Sequence, residues 1–227
     1  MPAEFDRYAS DYNALLRDPL RDRFTQSSDF FHRRKWILIQ RFLERHRFPA
    51  ANSAWLDVGC GKGELLALGR TSFARAVGCD PSKQMASSAS VEVHHQPLPD
   101  VLPFPDATFD FVTAVCVYHH VPEESRIPLT REVSRLLRAG GLFCVIEHNP
   151  FNPVTQLIVK RAPVDRDARL LTSRQARRYL NFGKLETLDL AYFLYLPEKL
   201  FDKAPGLETA LAAVPLGGQY AVFSRKR

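Results

Sequence analysis

Ala54-Trp55-Leu56-Asp57-Val58-Gly59-Cys60-Gly61-Lys62-Gly63 is a short apolar run that breaks into glycine at every second position and passes into Glu64-Leu65-Leu66-Ala67-Leu68, a helix-favouring start. A strand that enters a glycine turn and leaves through a helix opens a βα unit. Glycine is used there because a side chain would collide with a ligand lying on the backbone. Dinucleotide-binding turns space their glycines G-x-G-x-x-G. Here the spacing is G-x-G-x-G, with Glu64 where the third glycine would stand. A pyrophosphate would be repelled by Glu64 and Asp57, whereas a cationic ligand suits them, so a nicotinamide dehydrogenase ranks last among glycine-loop enzymes.

Outward from this loop, apolar runs alternate with polar helical stretches, the pattern of a parallel sheet. A second strand, Ala76-Val77-Gly78-Cys79-Asp80, precedes a helix opened by Pro81-Ser82. A third, residues 91–95, leads through a proline-rich turn to Leu102-Pro103-Phe104-Pro105-Asp106. The fourth, residues 109–117, is almost continuously apolar, as a strand buried on both faces should be. The fifth, residues 141–147, follows a helix over 127–138 and a stop at Gly140-Gly141. Runs at 185–196 and 219–224 predict a closing antiparallel pair. The reading is an α/β, Rossmann-like, doubly wound, mostly parallel seven-stranded sheet with an antiparallel final pair. Residues 1–50, with Phe30, Phe31, Trp36, Ile37, Phe42 and Leu43 interleaved with arginines, predict an N-terminal helical cap on a main domain over 51–227.

In its ordered motifs the chain resembles the class I S-adenosylmethionine-dependent methyltransferases. An acidic residue and G-x-G-x-G follow the first strand, an acid closes the second, Leu102-Pro103-Phe104-Pro105-Asp106 leads into the fourth, and Leu136-Leu137-Arg138-Ala139-Gly140-Gly141 precedes the fifth. The resemblance spans roughly residues 52–148, and four motifs in order are far more specific than one. It implies S-adenosylmethionine as methyl donor and S-adenosylhomocysteine as product. Asp57 would hold the methionine amino end, Gly59, Gly61 and Gly63 would let the cofactor lie on the loop, and Asp80 would bond the ribose hydroxyls. Cys60, Pro81 and Cys116 would line the same pocket. In Phe5-Asp6-Arg7-Tyr8-Ala9-Ser10-Asp11-Tyr12, Tyr12 corresponds to a tyrosine that closes over the cofactor carboxylate. One departure is visible: relatives place an aspartate before the L-P-F element to meet the adenine, whereas this chain reads Gln96-Pro97-Leu98-Pro99-Asp100. That leaves the backbone at Leu98, or a displaced Asp100, for the contact.

In doubly wound sheets ligands bind outside the carboxyl ends of the strands. Those ends carry Asp57, Asp80, Tyr118-His119-His120 and Glu147-His148-Asn149. Methyl transfer from a sulfonium is an in-line displacement that needs alignment first, and a base only for some acceptors. Histidine serves as that base near neutral pH. By resemblance His119 or His120 is the first candidate, with Glu147 and His148 second. Strand-end capping explains one histidine of each pair equally well. No metal is expected, because His94-His95 and His119-His120 lack the one-face helical spacing that converges on an ion. Tyr192, Phe193, Tyr195 and Phe201 either line an acceptor pocket or pack a sheet edge.

The sequence, 227 residues with 31 Lys+Arg against 25 Asp+Glu, carries a formal charge of +6. Basic residues gather at 32–35, 174–178 and 225–227. No nucleic-acid motif accompanies them, so solvated helix faces are the simpler reading and a nucleic-acid partner the alternative. The four cysteines, Cys60, Cys79, Cys116 and Cys144, lack zinc-site pairing and read as reduced core thiols. The charged amino terminus and the absence of a long apolar run predict a cytoplasmic protein with no membrane span. The expected activity is transfer of a methyl group to O, N or C of a small metabolite. The segment after the fifth strand is similar to a bacterial subgroup associated with natural-product or glycan pathways. Methylation of tRNA and a non-catalytic cofactor-binding partner remain as alternatives, and oligomeric state is not specified.

Overall fold

The computed structural model describes residues 4–27 and 29–227. Met1–Ala3, at the start of the expected cap, and Ser28 lie outside the described residues. The strands are β1 (Ala54–Val58), β2 (Arg75–Asp80), β3 (Val93–His95), β4 (Phe109–Val115), β5 (Leu137–His148), β6 (Leu185–Phe193) and β7 (Gln219–Lys226). They form one sheet in the order β3-β2-β1-β4-β5-β7-β6. The pairs from β3 through β5 are parallel, and β7 runs antiparallel to both β5 and β6. Strand order reverses between β1 and β4, so the crevice at their carboxyl ends is the natural ligand position. This is the Rossmann-like α/β sheet expected, with its antiparallel closing pair.

The helices are α1 (Tyr12–Leu15), α2 (Pro19–Phe24), α3 (Phe30–Arg45), α4 (Glu64–Gly69), α5 (Lys83–Ser87), α6 (Glu123–Leu136), α7 (Pro153–Arg161), α8 (Ser173–Phe182), α9 (Glu198–Lys203) and α10 (Pro205–Leu211). Local chemistry sets several of their starts. Thr172 and Gln175 form a reciprocal capping box at α8, and Asn152 accepts from the Thr155 N–H ahead of Pro153 at α7, each satisfying amides that a helix start leaves unpaired.

Alternation along the strands divides the core in two. Leu56, Val58, Val112, Phe143 and Val222 face α6 and α8, where Leu129, Val133, Ala176 and Leu180 are buried. On the other face Trp55, Phe111, Ile146 and Phe223 meet α3 and α4 through Trp36, Ile39, Phe42 and Leu66. Trp36 stacks on Trp55 with centroids 5.5 Å apart, and Phe42 on Phe223 at 3.9 Å. The long helix of the N-terminal region is thus one of the layers that close the sheet.

Two boundaries differ from the sequence reading. The helix before the fifth strand ends at Leu136, and β5 begins at Leu137, running through the glycine pair that was expected to stop a helix. Leu137 pairs with Phe109, Gly140 takes φ 76°, and the register slips between Phe109 and Phe111. The glycines therefore absorb a bulge inside a strand. Strand β3 is shorter than the apolar run suggests, because only Val93–His95 pair with β2.

Because Trp36 couples α3 to the sheet, Trp36→Ala is expected to lower the unfolding free energy by about 3–5 kcal/mol in urea titration. A loss below about 1 kcal/mol would show that the α3 contact is not a core contact.

Candidate active site

At the end of β1 the chain turns through Gly59, Gly61 and Gly63, all with positive φ of 64°, 57° and 77°. The Gly59 and Cys60 amides donate to the Cys79 carbonyl at 2.8 and 3.1 Å, prolonging the β1–β2 ladder into the turn. An added Cβ at Gly59 would lie 2.6 Å from Val117, and at Gly63 2.4 Å from Val91. At Gly61 it would meet nothing within 4 Å. Two of the glycines are therefore demanded by packing, and the middle one presents bare backbone to an open crevice.

Asp80, buried at the end of β2, is the staple of this loop. Its Oδ2 accepts from the Gly61 N–H and its Oδ1 from the Ser82 N–H, each at 2.8 Å. A carboxylate oxygen has more than one lone pair, so both retain capacity for a hydroxyl. Asp57 is 3% exposed and accepts from the Thr113 hydroxyl at 2.6 Å. Thr113 in turn receives the Trp55 indole N–H at 2.9 Å. Burial pushes the Asp57 carboxyl up to about 7, with the Thr113 bond and the charge of Lys35 only partly opposing.

Lys35 was not singled out in the sequence. It lies on α3, is buried, and its Nζ stands 3.7 Å from the Cys116 sulfur. Gln219, at the start of β7, donates to the same sulfur at 3.3 Å. Burial opposes ionisation of Cys116, but Lys35 and then His148 outweigh it and bring the thiol down to about 7. Cys116 has φ 59°, a conformation rare outside glycine, and turns the chain out of β4 toward His119 and His120. Tyr12 also reaches this crevice. Burial first, then the negative groups Cys116, Asp165, Glu64 and Asp80, hold its hydroxyl well above the ordinary tyrosine range.

The expected catalytic residues form one cluster. Glu147 is fully buried; its Oε1 accepts from the Val117 and Tyr118 amides at 3.0 and 2.7 Å, and its Oε2 meets His119 Nδ1 at 2.5 Å. Asp165, in a single 3-10 turn, places Oδ1 3.6 Å from His119 Nε2 and 3.3 Å from His120 Nε2. Burial opposes protonation of His119, but Glu147 above all, then Asp165, raise it to about 10. Burial pushes His120 below the ordinary histidine value, with Asp165 only partly offsetting. His148 sits beside them, its ring centroid 5.1 Å from that of His119, and contacts Gln219. Sequence spacing gave no sign that the two histidines would converge with a third ligand-type side chain. The structure supplies one in Asp165, 45 residues beyond His120.

On the third-strand side, Gln96 is buried and donates through Nε2 to the carbonyls of Leu98 and Pro99 at 2.9 and 3.2 Å. It shapes the loop in which an acid was sought. Asp100 instead receives the Ser125 hydroxyl at 3.4 Å, toward α6. The late aromatics pack: Tyr192, Phe193 and Phe201 are core residues, and Tyr195 donates to the Leu211 carbonyl at 2.8 Å. The basic run at 32–35 is not a solvated face either. Arg34 forms a buried ion pair with Glu208, Lys35 is buried, and burial pushes His32 down to about 3. Among the described residues no helix is long and apolar enough to cross a membrane.

Residues 56–145 match the family model described as a methyltransferase domain. A demethylmenaquinone methyltransferase of Symbiobacterium thermophilum is 30% identical over 65% of this chain and 59% of its own length. A tRNA (carboxymethyluridine(34)-5-O)-methyltransferase of Xenopus tropicalis is 36% identical over 37% of this chain and 14% of its own. The chain thus spans less than two thirds of either relative's length. An S-adenosylmethionine-dependent methyltransferase structure from Thermotoga maritima superposes with a TM-score of 0.67 over 98% of both chains at 15% identity, a likeness of fold. With the loop, the two strand-end acids and the sheet order already in place, these matches give the chain a methyltransferase domain over residues 56–145 and a likeness to the class I S-adenosylmethionine-dependent methyltransferases in fold.

Proposed function

We propose that this protein transfers the methyl group of S-adenosylmethionine to an oxygen, nitrogen or carbon atom of a small metabolite. The observation that carries the proposal is the gathering of two half-sites at the carboxyl ends of β1, β2, β4 and β5. One is the bare Gly61 backbone with buried Asp57 and Asp80; the other is the Glu147–His119–His120–Asp165 cluster. The chain fits the cofactor: Asp57, a buried carboxyl held by one hydroxyl, suits an ammonium group, and Asp80 has free lone pairs for ribose hydroxyls. Gly59, Gly61 and Gly63 keep the loop low, with Cys60, Pro81 and Cys116 beside it. Tyr12 would meet the carboxylate end, and the Leu98 backbone the adenine.

When bound, the cofactor supplies an electrophilic methyl group on a sulfonium. The chain's own work is to align the acceptor, exclude water and manage its proton. His120, held below the ordinary histidine value and beside Asp165, is neutral at physiological pH and able to accept a proton. His119, held by Glu147, is a fixed partner to it. One relative is named a demethylmenaquinone methyltransferase, which supports a metabolite acceptor. A second reading, RNA methylation, draws on the tRNA-modifying relative. It draws also on a cavity of about 780 Å³ lined by Arg174, Arg177, Arg178 and Arg227. That cavity lies at the start of β6 and end of β7, the opposite end of the sheet from Asp57 and His119, which favours the metabolite.

Purified protein is expected to bind S-adenosylmethionine in titration calorimetry, and Asp80→Asn or Gly61→Val to weaken binding by about 10- to 100-fold. Absence of binding by the wild-type chain would overturn the proposal. With a radiolabelled methyl donor, label should pass to small molecules of a cell extract, and His120→Ala should slow transfer by about 100-fold or more with cofactor affinity retained. Label recovered only in RNA, with salt-sensitive RNA binding, would instead establish the second reading.

Asp57 gives a pH test. The unfolded carboxyl ionises near 4, the folded one at about 7. Between these values the native chain keeps a proton the unfolded chain has lost, so the Asp57 contribution to stability falls as pH rises and stays low above 7. Cofactor-free Asp57→Asn is therefore expected to be more stable than wild type at pH 8 by roughly 1–3 kcal/mol, with little difference near pH 4. Equal shifts in urea midpoint at both pH values would refute this assignment.

A further inference from the structure

We propose that His119 Nε2, His120 Nε2 and an Asp165 carboxylate oxygen form a site for one divalent transition-metal ion, zinc by the character of its donors, at the mouth of the methyl-transfer crevice. As to the ion's role, this rests on the function proposed above; the site itself stands on its own geometry. The three ligand atoms lie within 4.8 Å of one another. Two of the separations are 3.6 and 3.3 Å. Bonds of about 2.0–2.1 Å to a tetrahedral zinc put neighbouring ligand atoms about 3.3–3.4 Å apart. The two distances from Asp165 are thus close to edges of such a polyhedron, whereas 3.6 Å is too long for a hydrogen bond.

A second observation points to a ligand independently. His119 Nε2 is buried and has no hydrogen-bond partner, an arrangement that costs free energy unless something is bound there. Its other nitrogen is committed to Glu147, which is locked by the Val117 and Tyr118 amides. A carboxylate on Nδ1 aims Nε2 away from Glu147, so that an ion displacing the Nε2 proton would meet its lone pair, the usual support of a metal-bound histidine. Charge agrees as well: Glu147 and Asp165 bring two negative charges into a buried pocket, and a divalent ion replacing the His119 proton balances both. The groups facing the pocket from neighbouring elements are His148, Tyr12 and Cys116. Phe5 covers His120 edge-on at 4.8 Å.

Three protein ligands leave a zinc ion an open position, as in catalytic rather than structural sites. Two imidazoles and one carboxylate favour zinc or another first-row transition ion over magnesium or calcium. The open position would take an acceptor hydroxyl. With His120 Nε2 engaged by the ion, water rather than His120 would take the proton as the O–H bond breaks, and the metal-held oxygen would form the new bond to the methyl carbon as the carbon–sulfur bond breaks and S-adenosylhomocysteine departs. The acceptor class is therefore a metabolite with an ionisable hydroxyl.

The test uses the full chain stripped with a chelator and titrated with Co²⁺, followed by its visible absorption, and with Zn²⁺ by calorimetry. S-adenosylmethionine is titrated in parallel. One ion per chain is expected, with Asp165→Asn and His120→Asn losing the cobalt spectrum and Glu147→Gln weakening the metal by about 10- to 100-fold. His94→Asn, on the exposed edge strand β3, serves as the control and should bind metal normally. If Glu147→Gln fails to fold, Asp165→Asn, at a partly exposed position, still decides the matter. No stoichiometric metal binding by wild type, or equal binding by Asp165→Asn, overturns the site. Cofactor binding without metal binding overturns only the metal, and metal binding without cofactor binding overturns only the methyl-transfer reading.

Discussion

The Glu147 carboxylate holds the working end of this molecule together. It sits fully buried at the carboxyl end of β5, and it accepts two backbone amides from the chain leaving β4 and the imidazole of His119. A carboxylate taken from water at this depth is tolerable only with several donors aimed at it. Because two of the donors are backbone groups on the neighbouring strand's exit, the same interaction that satisfies the charge fixes where residues 117–120 turn. The positions of Tyr118, which packs in the core and bonds Thr130 at 2.8 Å, and of both histidines follow from it.

Around that anchor, the crevice is organised by buried charge. Asp57 and Asp80 bring negative charge to the glycine loop, Glu147 and Asp165 bring it to the histidine pair, and Lys35 on α3 stands between the two groups beside Cys116. The aromatic stacking of Trp36 on Trp55 makes this possible, because it presses α3 onto the sheet and carries the adjacent Lys35 inward. The stack is thus a packing contact with an electrostatic consequence one residue away.

The amino-acid sequence by itself determined the sheet and its ligand edge. The glycine loop is legible because three positive-φ turns at alternate positions demand glycine whatever surrounds them, and Asp57, Asp80 and Glu147 are legible because acids ending apolar strands have few structural excuses. The closing strands were readable from their apolar alternation. The end of α6 was not, since Gly140-Gly141 serves a helix stop or a strand bulge equally well and only the pairing of Leu137 with Phe109 decides between them.

Tertiary structure alone decided which side chains share the crevice. Lys35 looks like part of a solvated basic run until α3 is laid on the sheet. Gln96 looks like the loss of an acid until its amide is seen holding the carbonyls of Leu98 and Pro99. Asp165 carries no local signal, because its role depends on a turn that returns to His119 and His120 from far along the chain. Periodicity and turn chemistry report a residue's own backbone and its immediate neighbours. The meeting of ionisable groups at strand ends is a long-range contact, set by the order of the strands and the paths between them, and no local pattern encodes it.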